Sequence, residues 1–172
     1  FDDAVGLGLP IGVSICEDIW VEEGPCRDQA RVGAGLLVNI SASPYHAGKR
    51  IEREQLIARR AKEYQRWVCY TNLVGGQDEL VFDGGSVVAS PQGRIIFRAP
   101  QFKEGLFVVE IPFKKKGGVP WHFYPPKGPG PFLPPDEEIF QALVLGLRDY
   151  VQKNSFSHVV IGLSGGIDSA LT

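Results

Sequence analysis

The sequence predicts an α/β protein in two parts, a layered unit around a mixed sheet and then the opening α-β step of a second unit. Three observations carry that prediction. Short apolar runs of strand length alternate with a long helical pattern in the first part of the chain. Eight of the thirteen prolines fall between Pro112 and Pro135, a stretch that suits neither a helix nor a central strand. Behind it a second helical pattern leads into an apolar run that breaks at two glycines, Gly165 and Gly166.

Residues 11–15 and 36–40 are compact apolar runs that suit buried strands, and residues 68–74 read as a third. Residues 49–67 have helix-forming composition, with a buried stripe at Ile57, Ala61 and Tyr64 and the arginines on the other faces. Residues 86–89, a turn over Ser90 to Gly93, residues 94–98 and residues 106–111 form a hairpin or meander. Asp83 to Ser86 is glycine-rich but precedes a strand, so it reads as a tight turn. Strands interleaved with helices and then a run of strands give a mixed sheet rather than a wholly parallel one. The proline-rich segment reads as an extended linker, and its Trp121, Phe123 and Tyr124 suit packing along a domain surface better than a free tether. Past it, Asp136 reads as a helix N-cap with Glu137 and Glu138 in the first turn, and Ile139, Leu143, Leu147 and Tyr150 follow at helical spacing. Residues 158–163 are the strand behind that helix.

Bulk properties narrow the function. At 172 residues the chain makes one ordinary domain or one and a bit, and the glycine loop at its extreme end favours the latter. It opens on Phe1, Asp2 and Asp3 and has no Met, which predicts an interior fragment. A formal net charge of -2 offers no basic field for nucleic acid. No apolar stretch approaches membrane-spanning length and no signal peptide is visible, so the expectation is a cytoplasmic protein without a membrane partner. Cys16, Cys26 and Cys69 form no Cys-x-x-Cys pair, which points to neither a disulfide framework nor a zinc site.

The apolar run ending at Leu163 continues as Ser164, Gly165, Gly166, Ile167, Asp168 and Ser169. A strand that breaks into two glycines presents successive backbone N–H groups to an anion, and a following helix adds its positive dipole end. Ser164 and Ser169 supply hydroxyl donors. A Walker loop is excluded, since it needs a lysine and none follows Lys153. The loop resembles the Ser-Gly-Gly-x-Asp-Ser loop of the ATP pyrophosphatases, which split ATP into AMP and pyrophosphate. On that resemblance Gly162, Leu163, Ser164, Gly165, Gly166, Ile167, Asp168 and Ser169 bind ATP, and Asp168 partners a Mg2+ on the pyrophosphate.

A second site lies at the end of the first strand, where Cys16 is delivered into a turn. A rigid strand can hold a nucleophile exposed there, although most lone cysteines are small core residues. The run Ile15 to Asp18 resembles the Ile-Cys-x-Asp signature of the nitrilase superfamily, and Glu17 with Trp20 resembles the variant in its glutamine-using members. The stretches from Asn39 to Lys49 and from Tyr70 to Ser86 resemble the glutaminase domain of the glutamine-dependent NAD+ synthetases. With the linker and the Ser-Gly-Gly-Ile-Asp-Ser loop, the resemblance to that family runs over essentially the whole chain.

The resemblance implies a fold and a set of roles. The fold is the C-terminal part of a nitrilase-like α-β-β-α sandwich over residues 1–113, the linker over 114–135, and over 136–172 the start of a doubly wound parallel-sheet, Rossmann-like domain of the adenine nucleotide alpha hydrolase type. Cys16 is the thiolate that attacks the glutamine amide, and the Glu17 N–H is one oxyanion donor. Ser43 and Lys49 bind glutamine, although Lys49 reads equally as a solvated first-turn residue of the helix. The intact enzyme adenylates deamido-NAD+ with ATP and amidates it with ammonia tunnelled from Cys16, as a homo-oligomer. The family's glutamate base and supporting lysine precede the nucleophile by more than the fifteen residues found here, and neither Asp2 nor Asp3 replaces them, so the fragment alone is expected to be inactive.

The rivals are another amidotransferase with the same ATP loop, against which the Cys16 context speaks, and a catalytically inactive remnant. Cys26 and Cys69 read as structural, and His46, His122 and His158 lack ligand spacing. Lys114 to Lys116 reads as a solvated edge of the linker.

Overall fold

A computed structural model describes residues 9–112 and 128–172. Seven strands and four helices follow in the order β1 (Ile11–Ile15), α1 (Pro25–Arg31), β2 (Leu36–Ser41), α2 (Lys49–Tyr64), β3 (Trp67–Asn72), β4 (Val74–Gln77), β5 (Leu80–Asp83), β6 (Val87–Ala89), β7 (Ile95–Arg98), α3 (Pro135–Lys153) and α4 (Ile167–Leu171), with a 3-10 turn over Cys16–Ile19. One sheet has the order β1-β2-β3-β6-β7, and β4-β5 form a separate hairpin. The β1-β2 and β2-β3 ladders are parallel, with Ile15 opposite Ile40 and Ser41 opposite Asn72, whereas β6 and β7 run antiparallel. The sheet is therefore mixed, as the run of strands after the helices predicts.

The parallel strands need crossovers, which α1 and α2 supply, and both helices cover one face. Alternation along β2 and β3 turns Leu37, Asn39, Val68 and Tyr70 toward them, where they join Ile19, Cys26, Leu56, Ile57 and Ala61 in the main core. On the opposite face Val13, Ile15 and Ile40 are exposed. Gly84 and Gly85 both hold left-handed φ, +64° and +59°, so the glycine-rich segment after Asp83 is the tight turn expected of it. Gly93, at +75°, closes the hairpin between β6 and β7 through its N–H to the Ser90 carbonyl.

Several expectations need correction. The predicted third strand over 68–74 is two strands broken at Leu73, because β4 leaves the sheet to pair with β5. Helix α2 stops at Tyr64, since Gln65 adopts the left-handed conformation that caps it. Its arginines are not all on outer faces: Arg53 and Arg60 are almost wholly buried. Residues 106–111 form no strand, for no other strand lies alongside among the described residues; Leu106 and Val108 project outward, and Phe107 meets Phe97 at 5.7 Å. Residues 158–163 likewise have no ladder partner among the described residues and are exposed, so the predicted strand before the loop is not formed. Asp136 does not cap α3, which starts one residue earlier with Pro135 at its first position. Of the helical apolar set, Ile139, Leu143, Leu147 and Tyr150 are exposed, while Glu138, Ala142 and Leu145 face inward.

The reading of the linker falls mostly on residues 113–127, with Lys114 to Lys116, Trp121, His122, Phe123 and Tyr124, which lie outside the described residues, as do Asp2 and Asp3. Its described end packs on the first unit. Phe132 sits between the guanidinium groups of Arg50, 4.2 Å away, and Arg98, 3.8 Å away, and Arg50 donates to the Leu133 carbonyl at 3.1 Å.

Candidate active site

The C-terminal ends of three parallel strands meet at one sheet edge, the position where α/β sheets bind ligands. Cys16 follows β1, Ser43 follows β2 by two residues, and Asn72 ends β3. Cys16 is half-buried with φ at +47°, a left-handed conformation uncommon for a residue with a side chain. Several bonds hold that turn. The Asp18 carboxylate accepts the Ile15 N–H at 2.8 Å. From beneath, Asn39 donates to Ser14 Oγ at 2.9 Å and to the Cys16 carbonyl at 3.4 Å, and Ser41 Oγ donates to Asn39 at 2.6 Å. From α2, the buried Arg60 donates to the Ile19 and Trp20 carbonyls at 3.0 and 2.8 Å. The Glu17 N–H lies in the first turn of the 3-10 segment, where backbone donors lack intrahelical acceptors.

The other two cysteines differ in kind. Cys26 is fully buried in α1 and donates to Ser14 Oγ, and Cys69 lies inside β3. Burial pushes both thiols up, which keeps them protonated and poorly nucleophilic near neutral pH. Alkylation with iodoacetamide at neutral pH, read by peptide mass spectrometry, is expected to label Cys16 at least ~10-fold faster than Cys26. Equal labelling of the two would contradict this account of the site.

Ser43 is buried, and its backbone is gripped by Asn72, which accepts the Ser43 N–H at 2.8 Å and donates to its carbonyl at 3.2 Å. Tyr70 is fully buried in β3. Burial pushes its phenol up, while Arg53 and the hydroxyls of Ser41 and Ser43 act the other way. Lys49 opens α2, but its side chain is largely covered, with Nζ 4.2 Å over the Trp20 ring and 3.6 Å from Glu52. That placement brings Lys49 beside the Cys16 turn. His46 is exposed and bonds only locally, to the Ala47 carbonyl. A cavity of about 550 Å3 is lined by Ser41, Tyr70 and Asn72 together with Cys69, Phe97 and Phe107, and neither Cys16 nor Ser43 is among its lining residues.

The glycine loop is solvent-facing at the other end of the chain. Gly165 takes φ +84°, the Ser164 N–H donates to Ser169 Oγ at 3.1 Å, and the two serine hydroxyls lie 3.0 Å apart. Gly162, Leu163, Gly166, Ile167 and Asp168 are exposed, and α4 begins at Ile167. Asp168 offers one free carboxylate, and no group of three metal-ligating side chains occurs among the described residues. A single carboxylate suits Mg2+ that keeps phosphate oxygens and water as its other ligands.

The sequence reading missed a buried polar cluster beside the Ser43 segment. Arg53 meets Asp83 at 2.9 Å with both side chains enclosed, and Gln101 Nε2 reaches Asp83 at 3.1 Å and Glu138 at 3.3 Å. Arg50 pairs with Glu138 at 2.8 Å. The signal for Arg53 and Arg60 was present, since both fall in helical phase with Ile57, Ala61 and Tyr64.

The carbon-nitrogen hydrolase family model matches residues 1–120, and the NAD synthase model matches residues 139–172. The chain is 39% identical to a glutamine-dependent NAD(+) synthetase of Thermotoga maritima, over 95% of this chain and 33% of that protein. It is 42% identical to the Acinetobacter baylyi counterpart, over 96% of this chain and 29% of that protein. A solved glutamine-dependent NAD+ synthetase of Acinetobacter baumannii, in complex with adenosine diphosphate, superposes with a TM-score of 0.82 at 39% identity, over 95% of this chain and 30% of that one. The chain thus spans about a third of the length of the curated relatives it matches. With Cys16 at the strand end and the family model matched across most of its length, the chain belongs to the carbon-nitrogen hydrolase family.

Proposed function

We propose that this chain is part of a glutamine-dependent NAD+ synthetase, a ligase that takes its amide nitrogen from glutamine. The observation that carries the reading is the left-handed Cys16 at the end of β1, held by Asn39 and Arg60, on the same chain as the Ser164 to Ser169 loop. Residues 1–113 are the C-terminal part of the glutaminase domain, 114–135 the connector and 136–172 the start of the synthetase domain. The carbon-nitrogen hydrolase match over residues 1–120 and the NAD synthase match over residues 139–172 support a division within the proline-rich segment.

The chemistry then divides between the sites. At the first, the Cys16 sulfur attacks the side-chain carbonyl carbon of glutamine, and the Glu17 N–H donates to the oxygen as it gains charge. The C–N bond breaks, ammonia leaves with a proton from a general acid, and water hydrolyses the thioester to glutamate. Ser43 and Lys49 hold the polar end of glutamine, beside Tyr70 and Trp20 respectively. At the second site the carboxylate of deamido-NAD+ attacks the α-phosphorus of ATP, releasing pyrophosphate, and ammonia then displaces AMP. The loop N–H groups and the hydroxyls of Ser164 and Ser169 hold the phosphates, and Asp168 would hold a Mg2+, which would supply shielding of their charge.

No helix among the described residues is long and apolar enough to cross a membrane. A cytoplasmic location fits three free cysteines, and a homo-oligomer follows from the resemblance alone. The test is NAD+ formation by the full-length enzyme encoded by the reading frame that contains this chain, supplied with deamido-NAD+, ATP, Mg2+ and glutamine. The expected products are NAD+, AMP, pyrophosphate and glutamate in equal amounts. ATP consumption that yields ADP, or no glutamate, would overturn the reading.

A further inference from the structure

We propose that Glu138, at the start of α3, is a positioning residue for the glutamine pocket, holding the Ser43 to Tyr45 segment in register from the far side of the proline-rich connector. This inference rests on the functional reading above. Two independent sets of contacts lead from α3 to that segment.

The first is polar and largely buried. Glu138 pairs with Arg50 at 2.8 Å and accepts from Gln101 Nε2 at 3.3 Å. Gln101 also donates to Asp83 at 3.1 Å, and Asn72 Nδ2 reaches Asp83 Oδ1 at 3.5 Å. Asn72 closes the chain by gripping both the N–H and the carbonyl of Ser43. Glu138, Gln101, Asp83, Asn72 and Ser43 are each 7% exposed or less, so water does not compete for these groups. Two cations, Arg50 and Arg53, balance two carboxylates, and the bridging amide of Gln101 fixes the distance between them.

The second set is apolar. Ala142 and Leu145 of α3 form a small core with Phe102, against which Tyr45, Val74, Val81 and Leu133 pack. Tyr45 meets Phe102 edge-on at 5.5 Å, and its N–H donates to the Val81 carbonyl at 2.7 Å. The segment that carries Ser43 is therefore tied at Ser43 to the end of β3 and packed through Tyr45 on the core under α3. Taking the carboxylate from position 138 leaves Arg50 buried without its countercharge and frees Gln101 from one acceptor. The slack falls on Asn72 and Ser43, whereas Cys16 is held separately by Asn39 and Arg60.

The experiment uses the full-length enzyme and the variants Glu138→Ala and Glu138→Gln, with glutamine-driven and ammonia-driven NAD+ formation measured side by side. The expected result is a glutamine KM raised ~3- to 30-fold in Glu138→Ala, with kcat and the ammonia-driven rate within about twofold of the parent. An Asn72→Ala/Glu138→Ala double-mutant cycle should be non-additive in glutamine KM. A folded Glu138→Ala enzyme with unchanged KM overturns the proposal, and so does an additive cycle or a parallel loss of both activities. If Glu138→Ala does not accumulate as folded protein, Gln101→Leu interrupts the same chain and is read by the same criteria. A parent enzyme that makes no NAD+ from either nitrogen source overturns the functional reading itself, whereas a working parent with unaffected variants overturns only the role of Glu138.

Discussion

Replacing Cys16 by alanine is expected to lower glutamine-driven NAD+ formation by at least ~10^4-fold, since the thioester route has no substitute once the nucleophile is gone. The fold should tolerate the change. Cys16 is half-buried, its side chain belongs to no core cluster, and its turn is held through the backbone by Asn39, Asp18 and Arg60. Ammonia-driven synthesis does not pass through the thioester and reports that the enzyme is intact. Serine at the same position keeps the size but replaces sulfur with a far weaker oxygen nucleophile, so it should be nearly as impaired. Cys26→Ser is the contrast. It alters a buried thiol that donates to Ser14 and should change stability far more than turnover. Glutamine-driven activity of Cys16→Ala above about a hundredth of the parent rate would remove Cys16 from the nucleophile's role, because covalent catalysis lost outright costs far more.

Patterning made the framework of this site legible in advance. The runs at β1 and β2 stood out because a parallel strand covered by helices is apolar and short, and α2 stood out through its 3.6-residue period. What the pattern misjudged was charge. Arg53 and Arg60 share the helical phase of Ile57 and Ala61, yet residue type alone places arginine on the outside. Their interior position depends on acceptors that are distant in sequence: Asp83 for Arg53, and the Ile19 and Trp20 carbonyls for Arg60. Local pattern carries no record of such partners. The same limit explains the two strands that were expected and not found. Residues 106–111 and 158–163 have strand composition, but a strand is completed by a neighbour, and none stands beside either segment among the described residues. The apolar spacing of α3 did predict a helix, while Glu138 rather than Ile139 faces inward because Arg50 and Gln101 await it there.

Asp83→Ala is expected to cost about 3–5 kcal/mol of stability, a large share of the roughly 5–15 kcal/mol typical of a folded domain. Arg53 is 1% exposed and Asp83 fully enclosed, so removing the carboxylate strands a guanidinium where water cannot reach it. The Arg53 group also donates to the Gly84 carbonyl at 3.1 Å, which holds it in place instead of letting it swing outward. Asp83→Asn keeps the shape and should lose less, because an amide oxygen still accepts from Gln101 or Arg53. The pair Arg53→Met with Asp83→Leu removes both charges together and should recover much of the loss, since well-packed apolar side chains can replace a buried ion pair. Arg59→Ala sets the scale for an exposed pair. Arg59 lies 3.8 Å from Glu63, with both side chains open to solvent, and its loss should stay within about 0.5 kcal/mol. Unfolding midpoints of the intact enzyme compare the four variants directly. Asp83→Ala as stable as Arg59→Ala would mean that the Arg53–Asp83 pair is not holding the β5 end and the Asn72 segment together. The same variant links stability to the site, because Asp83 stands one residue from Asn72 in the chain of bonds that grips Ser43.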